Sequence, residues 1–571
     1  QRRGHPRLAG ACSKVGAGCL HTRCCADAGY QCYAKNRYWA DCRTSCVQGL
    51  HAEDPPKDRT PWLCFLLSPP TTTSTTTTST TTSTIISLLP HGPHCSKAGD
   101  DCRTTGCCSE AGMKCFEKNN YWASCRQNCT PGQVDVGDPE PNATWTCARY
   151  IYNNRVPAPK EPFELNMTGN PFEGHPFYVN PKFKADVMAT AAQAPNASVR
   201  SKLEAMATAP TALWVDRRSK ISGIGPNTME GALALAASKS PPELVTFILY
   251  NLPNRDCSAN ASLGELCCNA ECNFSAAGDC LHGLSQYVTE FIDPIVALLQ
   301  RYEDLVPSVL VLEPDSLANL VTNSEEPRCG SSSTRASYVH GIRYAVRALS
   351  RISNVAIYLD AGNSGWLGWT SELSKYVTLV QEIGETDQLR GFASNIANYN
   401  PLGVMCPTYD WCLSEGNRSD DACCADPCDR LEDYNPAVNE LNYALHLVTA
   451  MSEAIPGFSP RVIIDTGRNG AGMAEKACHS WCNLRSAGAG HTPTSHTANP
   501  EVVDAYFWLK TPGESDGCTE FLPNGTKCPR FDEHCNSSSS IGTRPGESGA
   551  PEAGQWFDLL VAVLAANSQL A

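Results

Sequence analysis

Residues 308–312 read SVLVL and residues 244–252 read LVTFILYNL, two β-branched apolar runs that stop at polar or acidic residues. A short continuous apolar run predicts a strand buried on both faces, as in a parallel sheet. Five more segments share the pattern: TALWVDR (211–217), NVAIYLDAG (354–362), LRGFASNIANY (389–399), RVIIDTGR (461–468) and DAYFWLK (504–510). Between several of them lie helix-like segments, such as LSQYVTEFIDPIVALLQRYED (284–304) and SYVHGIRYAVRALSRI (337–352). Strand–helix alternation predicts an α/β fold, a parallel β/α barrel of seven strands. Asp216, Asp256, Asp315, Asp360, Asn395, Asp465 and Asp516 fall at or beyond the strand ends, on the rim where barrel enzymes place their chemistry. Any one of them could cap the following helix. Their recurrence on one rim argues for a site.

The first 147 residues have a different pattern. Cysteines fall at 12, 19, 24, 25, 32, 42, 46 and 64, and again at 95, 102, 107, 108, 115, 125, 129 and 147. Each is displaced by 83 residues, which predicts two copies of one disulfide-stapled module. The expected organisation is module 1 over 1–64, a Thr/Ser/Pro-rich linker over 65–94, module 2 over 95–147, a second linker over 148–165 and one large domain over 166–571. Thr/Ser runs flanked by Pro, as in 69–93, suggest an O-glycosylated tether.

Composition sets the compartment. Thirty-two cysteines in 571 residues imply disulfides and secretion. Sequons at Asn142, Asn166, Asn196, Asn260, Asn273, Asn417, Asn524 and Asn536 agree. No apolar run opens the chain, so Gln1 reads as a processed start, and no stretch has membrane-spanning length. A net charge of −14 without a basic block argues against nucleic acid as a partner. Cysteine-rich insertions at 265–280 and 405–428 have spacings that can hold zinc, but an oxidising compartment and an even count favour disulfides. No metal or cofactor is expected, and a monomer is.

The motifs LEPDSLANLVTN (312–323), YLDAGNSGWLGW (358–369), ANYN (397–400), DTGRNG (465–470), FDEHC (531–535) and AGQWF (553–557) resemble those of the family 6 glycoside hydrolases. These are cellobiohydrolases and endoglucanases that cut β-1,4-glucan with inversion. The resemblance runs from residue 170 to 557 and implies a distorted seven-stranded barrel with a cleft or tunnel. The two N-terminal modules resemble fungal family 1 cellulose-binding modules through CC-x6-C-x3-K-N-x-Y-W-A-x-C, residues 24–42 and 107–125. That likeness makes Tyr38, Trp39, Tyr121 and Trp122 the expected cellulose-surface residues. Flat aromatic faces cover the C–H surface of pyranose rings. The competing role for these aromatics is to fill a small core.

Inverting hydrolysis needs a proton donor for the leaving oxygen and activation of water on the opposite sugar face. By resemblance Asp315 is the general acid, and Asp256 the second aspartate sharing its proton network. Asp516 is the candidate base, a role that a water chain can relay. Tyr250 holds a distorted sugar, Ser262 on a loop positions water, and Asp360 stands near the site. Asp216, Asn395, Arg468, Lys510 and Glu514 are matched to polar sugar contacts, and Trp214, Trp366, Trp369 and Trp481 to stacking platforms. Cys257–Cys329 and Cys482–Cys535 are the implied disulfides. Asn251 and Asn254 replace carboxylates of the family pattern, Asn363 a histidine and Ser515 a cysteine. Loss of two charges beside Asp256 is expected to move the pH optimum.

These readings imply a secreted cellobiohydrolase acting on cellulose and cello-oligosaccharides. The alternatives are an endoglucanase of the same family and a non-catalytic cellulose-binding wall protein. The long segments 257–283 and 511–550 favour exo action, because exo-acting members roof the cleft with two such loops. Retention of all three aspartates speaks against a non-catalytic protein. Asn260 shares its sequon with Ser262, so its side chain is expected either to lack a glycan or to face away from the site.

Overall fold

The computed structural model describes residues 12–46 apart from 17, 21, 23, 28, 37 and 38; residues 54, 62, 65 and 66; residues 95–135 apart from 104, 107, 111, 112, 120 and 121; residues 144–151 and 154–156; and residues 169–570 apart from 415–417, 419, 472–477 and 479. Tyr38 and Tyr121 therefore lie outside the described residues. The chain divides into two compact units, 1–92 and 93–571.

In the first unit β1 (Gln31–Asn36) pairs antiparallel with β2 (Trp39–Arg43), and β3 (Phe65–Leu66) adds to β1. In the second, β4 (Lys114–Asn119) pairs with β5 (Trp122–Arg126) in the same register, Cys115 opposite Cys125 as Cys32 is opposite Cys42. Disulfides repeat with the sequence: Cys19–Cys32 and Cys25–Cys42 recur as Cys102–Cys115 and Cys108–Cys125. Sulfur pairs fill most of these small cores, and one tryptophan completes each. Trp62 and Trp145 are buried beneath the guanidinium groups of Arg43 and Arg126, 3.8 and 4.3 Å from the ring centres. Trp39 and Trp122, by contrast, stay 45% and 42% exposed.

Part of the segment read as the second linker is a hairpin. β6 (Arg149–Ile151) pairs with β4 at Phe116, and β7 (Asn154–Val156) returns along β6. Module 2 also belongs to the same compact unit as the large domain. Arg149 is buried against Tyr302, Glu303 and Asp304, and Lys114 forms an ion pair with Asp304. Burial pulls the Arg149 pKa down to about 10 even though Asp304 opposes it.

All seven apolar runs are strands: β8 (Leu213–Val215), β9 (Val245–Leu249), β10 (Ser308–Leu312), β11 (Val355–Asp360), β12 (Gly391–Ser394), β13 (Arg461–Asp465) and β14 (Val503–Phe507). They form one parallel sheet in sequence order from β8 to β14. Alternation along each strand explains the runs. Val309 and Val311 point into the barrel with Ile248, Tyr358, Ile463 and Phe507, while Leu310 and Leu312 face the surrounding helices. The sheet curls but does not close, since β14 and β8 share no ladder. Across that seam the Ala212 N–H donates to Trp508 O at 3.0 Å and the Trp214 indole to Leu509 O at 2.9 Å.

The helix at 332–349 begins five residues before the segment read from sequence, capped by Ser331 on the Thr334 N–H. The segment 284–304 is not one α-helix. A π-helical turn, Tyr287–Ile292, separates Leu281–Gln286 from Asp293–Arg301. Pro294 has no N–H for the regular ladder, and the widened turn lets the Tyr287 hydroxyl donate to Glu313 at 2.7 Å. Among the described residues no helix is long and apolar enough to cross a membrane.

Candidate active site

The chain turns sharply beyond β9 and β10, and four of the turning residues have positive φ: Asn254 at 59°, Asp256 at 51°, Glu313 at 51° and Asp315 at 58°. Non-glycine residues in this left-handed region store of order 1–3 kcal/mol each. Bonds from the framework hold them there. Buried Glu313 accepts from the Asn251 and Leu252 N–H groups at 3.0 and 3.1 Å, which fixes β10 against the end of β9. The Asp315 N–H donates to Asp360 Oδ2 at 3.1 Å. Asp256 Oδ2 accepts from the Tyr250 hydroxyl at 3.3 Å and from the Ser262 hydroxyl.

Asp256, Asp315 and Asp516 line one cavity of about 710 Å³ with Trp214, Trp366 and Trp481. Burial raises the Asp315 pKa well above the carboxylate range, and the negative charges of Asp256, Asp360 and Asp516 raise it further. Burial also raises Asp256, against the opposing pull of Ser262, Arg255 and Tyr250. A carboxyl kept protonated faces the cavity beside one that two hydroxyls already solvate. That pairing suits proton donation to a leaving oxygen.

Asp516 is held differently. Arg468 donates to its Oδ1 at 2.6 Å, and the Tyr399 hydroxyl and Asn483 N–H donate to its Oδ2 at 2.5 and 2.8 Å. Both oxygens of Asp516 are occupied by donors. Asp216 also lines the cavity. Its burial is outweighed by Lys220, Arg217 and Arg255, which hold its carboxyl well below the usual range.

Two loops meet over the cavity. The Asn260 N–H donates to Asp532 Oδ2 at 3.1 Å, and Arg530 donates to Leu263 O at 3.4 Å. Cys257–Cys329 ties down the first loop and Cys482–Cys535 the second. The Asn260 side chain is exposed, its Oδ1 accepting from Arg328 at 2.9 Å, while Ser262 points the other way onto Asp256.

The structure gathers Trp214, Asp216, Tyr250, Asp256, Ser262, Asp315, Trp366, Trp481, Lys510, Glu514 and Asp516 around the cavity. Four residues singled out from sequence do not line it. Asp360 lies beneath Asp315; Asn395 is buried on Asp465 O at 3.0 Å; Arg468 reaches the cavity through Asp516; and Trp369 stands outside, its indole donating to Asp433 O at 2.8 Å. Asn251 and Asn254 also face away from it. They fasten the 265–280 insertion, Asn251 through Glu265 at 3.0 Å and Asn254 through Thr334 and the Cys268 N–H, both at 3.0 Å. Asn363 does line the cavity, and buried Ser515 donates to Gly517 O at 3.0 Å. Sequence reasoning passed over Arg255, whose guanidinium covers the Tyr250 ring at 4.1 Å and donates to Ser262 O and Asp216 O. It also passed over Asp532 and Lys220. Asp532 lies inside the FDEHC motif and Arg255 immediately precedes Asp256, and their orientation toward the cavity is set by long-range folding. The clustered sulfurs of Cys406, Cys412, Cys423 and Cys424 are joined as Cys406–Cys423 and Cys412–Cys424.

Buried acids give the domain a pH signature. Burial pushes Glu313, Asp360 and Glu440 up to about 7 and Asp465 up to about 6. The folded state keeps these protons where the unfolded chain, with ordinary carboxylates, has released them. The slope of stability against pH is then negative from the ordinary carboxylate range to about 7. We expect the thermal midpoint of the large domain to be highest near or below about pH 5 and to fall as pH rises through about 7. Calorimetry across this range checks it, with Glu440→Gln flattening the fall. A midpoint that climbs from pH 5 to 8 would contradict the assignment.

Residues 172–568 match the family model described as Glycosyl hydrolases family 6. Exoglucanase 3 of Agaricus bisporus is 33% identical over 469 residues, 81% of this chain and 91% of that protein. The 1,4-beta-D-glucan cellobiohydrolase C of Emericella nidulans is 35% identical over 410 residues, 70% of this chain and 79% of the relative. Among solved structures, the catalytic core domain of the cellobiohydrolase Cel6A from Chaetomium thermophilum aligns at 32% identity, covering 70% of this chain and 99% of that one with a TM-score of 0.56. The catalytic domain of Cellulomonas fimi Cel6B aligns at 30% identity over 70% and 95% of the two chains with a TM-score of 0.59.

Proposed function

This chain belongs to glycosyl hydrolases family 6, and we propose that it is a secreted, inverting cellobiohydrolase that releases cellobiose from the ends of cellulose chains. The observation that carries this reading is the roofed cavity. Loops joined through Asn260–Asp532 and Leu263–Arg530 line the cavity beside Asp256 and Asp315, an arrangement that favours a polymer entering by its end. An open cleft would admit internal bonds and favour the endoglucanase. The names of the relatives point the same way, and disulfides at each module and both loops suit an oxidising, extracellular setting.

In this mechanism Asp315 delivers its proton to the glycosidic oxygen as the bond to the anomeric carbon breaks. Asp256, with Tyr250 and Ser262 on its Oδ2, supports the positive charge that develops on the ring. Water attacks from the opposite face, and its proton leaves toward Asp516. Oδ2 of Asp516 already accepts from two donors and Oδ1 from one, so Oδ1 keeps a lone pair that takes this proton through a bridging water. Trp214, Trp366 and Trp481 stack on glucosyl faces, and Lys510, Glu514 and Asp216 contact hydroxyls. NMR of fresh hydrolysate tests the reading. Cellobiose appearing first as the α-anomer supports it, and β-anomer or a spread of internal-cut products rejects it.

Trp39 and Trp122 are the proposed cellulose contacts of the two modules, since both stand exposed while Trp62 and Trp145 fill the cores. Changing Trp39 and Trp122 to alanine in the full chain should weaken retention on crystalline cellulose by about 10²-fold or more, because two linked grips gain through effective concentration. A pull-down isotherm measures this. Undiminished binding would remove these aromatics from the contact.

A further inference from the structure

The loop between Asp516 and Asp532 contains a small hairpin. Cys518 is joined to Cys528, and Phe521 pairs antiparallel with Lys527. Inside that pair the Leu522 N–H donates to Thr526 O and the Gly525 N–H to Leu522 O, both at 2.8 Å. Pro523 follows Leu522 in this tight turn, and Gly525 takes φ of 81°, which costs glycine little.

Asn524 stands exposed at the tip. Its Oδ1 accepts from the Thr526 N–H at 3.0 Å and from the Thr526 hydroxyl at 2.7 Å. Its Nδ2 makes no hydrogen bond among the described residues. Asn524, Gly525 and Thr526 are one of the chain's sequons, so the hairpin presents the acceptor nitrogen and orders the threonine beside it. Three residues earlier Phe521 is 53% exposed and packs into none of the apolar cores. An aromatic ring left in water on a tight hairpin lacks a partner. The C–H face of a pyranose is a surface that such a ring covers well. Among the sequons within the described residues, Asn196, Asn260, Asn273, Asn524 and Asn536, only Asn524 has a large exposed apolar side chain on its own turn.

We propose that Asn524 carries an N-linked glycan whose first N-acetylglucosamine rests on the exposed face of Phe521. The proposal rests on the extracellular reading above, because the donor is a polyisoprenyl diphosphate-linked oligosaccharide of the secretory pathway. Asn524 Nδ2 forms a bond to C1 of the first sugar as the bond from C1 to the diphosphate oxygen breaks. The amide gives up one proton and the lipid diphosphate leaves. The sugar then stiffens the hairpin that joins Asp516 to Arg530 and Asp532, all three of which line the cavity.

The test uses the full chain secreted from a eukaryotic host. Glycopeptide mass spectrometry should find Asn524 occupied in most molecules, and bare Asn524 would overturn the site. Calorimetry then follows two enzymatic treatments. Trimming to a single N-acetylglucosamine should leave the thermal midpoint unchanged, because that sugar makes the contact. Complete removal by an amidase should lower it by about 1–2 °C, the size of one aromatic contact in a domain this large. Asn524→Gln, which carries no sugar, should show the same drop. In Phe521→Ala complete removal should cost about a third of that or less, since the coupling is gone. Equal drops in wild type and Phe521→Ala, or no drop in wild type, would overturn the contact. A chain with reduced cysteines and no sugar at any sequon would overturn the extracellular reading and the glycan with it. A glycosylated chain inactive on cellotetraose would instead overturn the cellulase reading and uphold Asn524.

Discussion

Replacing Asp315 by alanine lowers kcat on cellotetraose by about 10²- to 10⁴-fold, the usual worth of a general acid. Binding of the oligosaccharide is expected to persist, because Trp214, Trp366, Trp481 and Lys510, which line the cavity, are untouched. The expectation comes from position and electrostatics together. Asp315 faces the cavity, and burial with three neighbouring carboxylates keeps it protonated. A substrate carrying a good leaving group needs little proton donation, so an activated aryl cellobioside should lose far less rate than cellotetraose. Steady-state kinetics on both substrates, with calorimetric binding to the variant, separates the roles. A variant that keeps more than about a tenth of the wild-type rate on cellotetraose would falsify the assignment.

The second large effect is on stability. Changing Arg468 to methionine strands Asp516 in the interior, and we expect a cost of about 3–5 kcal/mol, typical of breaking a buried pair. Arg468 and Asp516 are 1% and 5% exposed, and 2.6 Å separates them. The Arg468 guanidinium also covers the Tyr399 ring at 4.2 Å, so packing is lost with the charge. A double variant, Arg468→Met with Asp516→Leu, removes both charges and should recover much of the midpoint without recovering activity. Scanning calorimetry paired with a cellotetraose assay reads both. Full activity in the stable double variant would show the pair to be framework only.

The strands were legible because a parallel strand buried on both faces needs an unbroken apolar run, as in SVLVL and VTFIL. The interrupted helix was not. One proline in an otherwise regular pattern does not announce that a π turn will place Tyr287 on Glu313. Asp256, Asp315 and Asp516 were legible as rim residues, and Asp315 also through the motif LEPDSLANLVTN. Their environments were not. That donors occupy both Asp516 oxygens depends on Tyr399, Arg468 and Asn483, which lie far apart in sequence. Asn251 and Asn254 were read as missing charges beside Asp256. In the structure both amides donate, Asn251 to Glu265 and Asn254 to Thr334, and Asn254 also accepts from the Cys268 N–H. No spacing rule conveys that. The hairpin of β6 and β7 was missed because Pro- and Asn-rich composition suggested a spacer, while its pairing partner Phe116 lies more than thirty residues upstream.

In the proposed extracellular setting, the clasp of Arg149 and Lys114 on Asp304 has a consequence for how the chain ages. A protease that cuts anywhere in the Thr/Ser-rich tract 69–93 sheds the first module and its Trp39, while the second stays clasped to the barrel with Trp122 still exposed. With Trp39 and Trp122 as the proposed cellulose contacts, trimming removes the first and keeps the second. A culture filtrate would then hold two size classes with the same catalytic centre and different residence times on the solid.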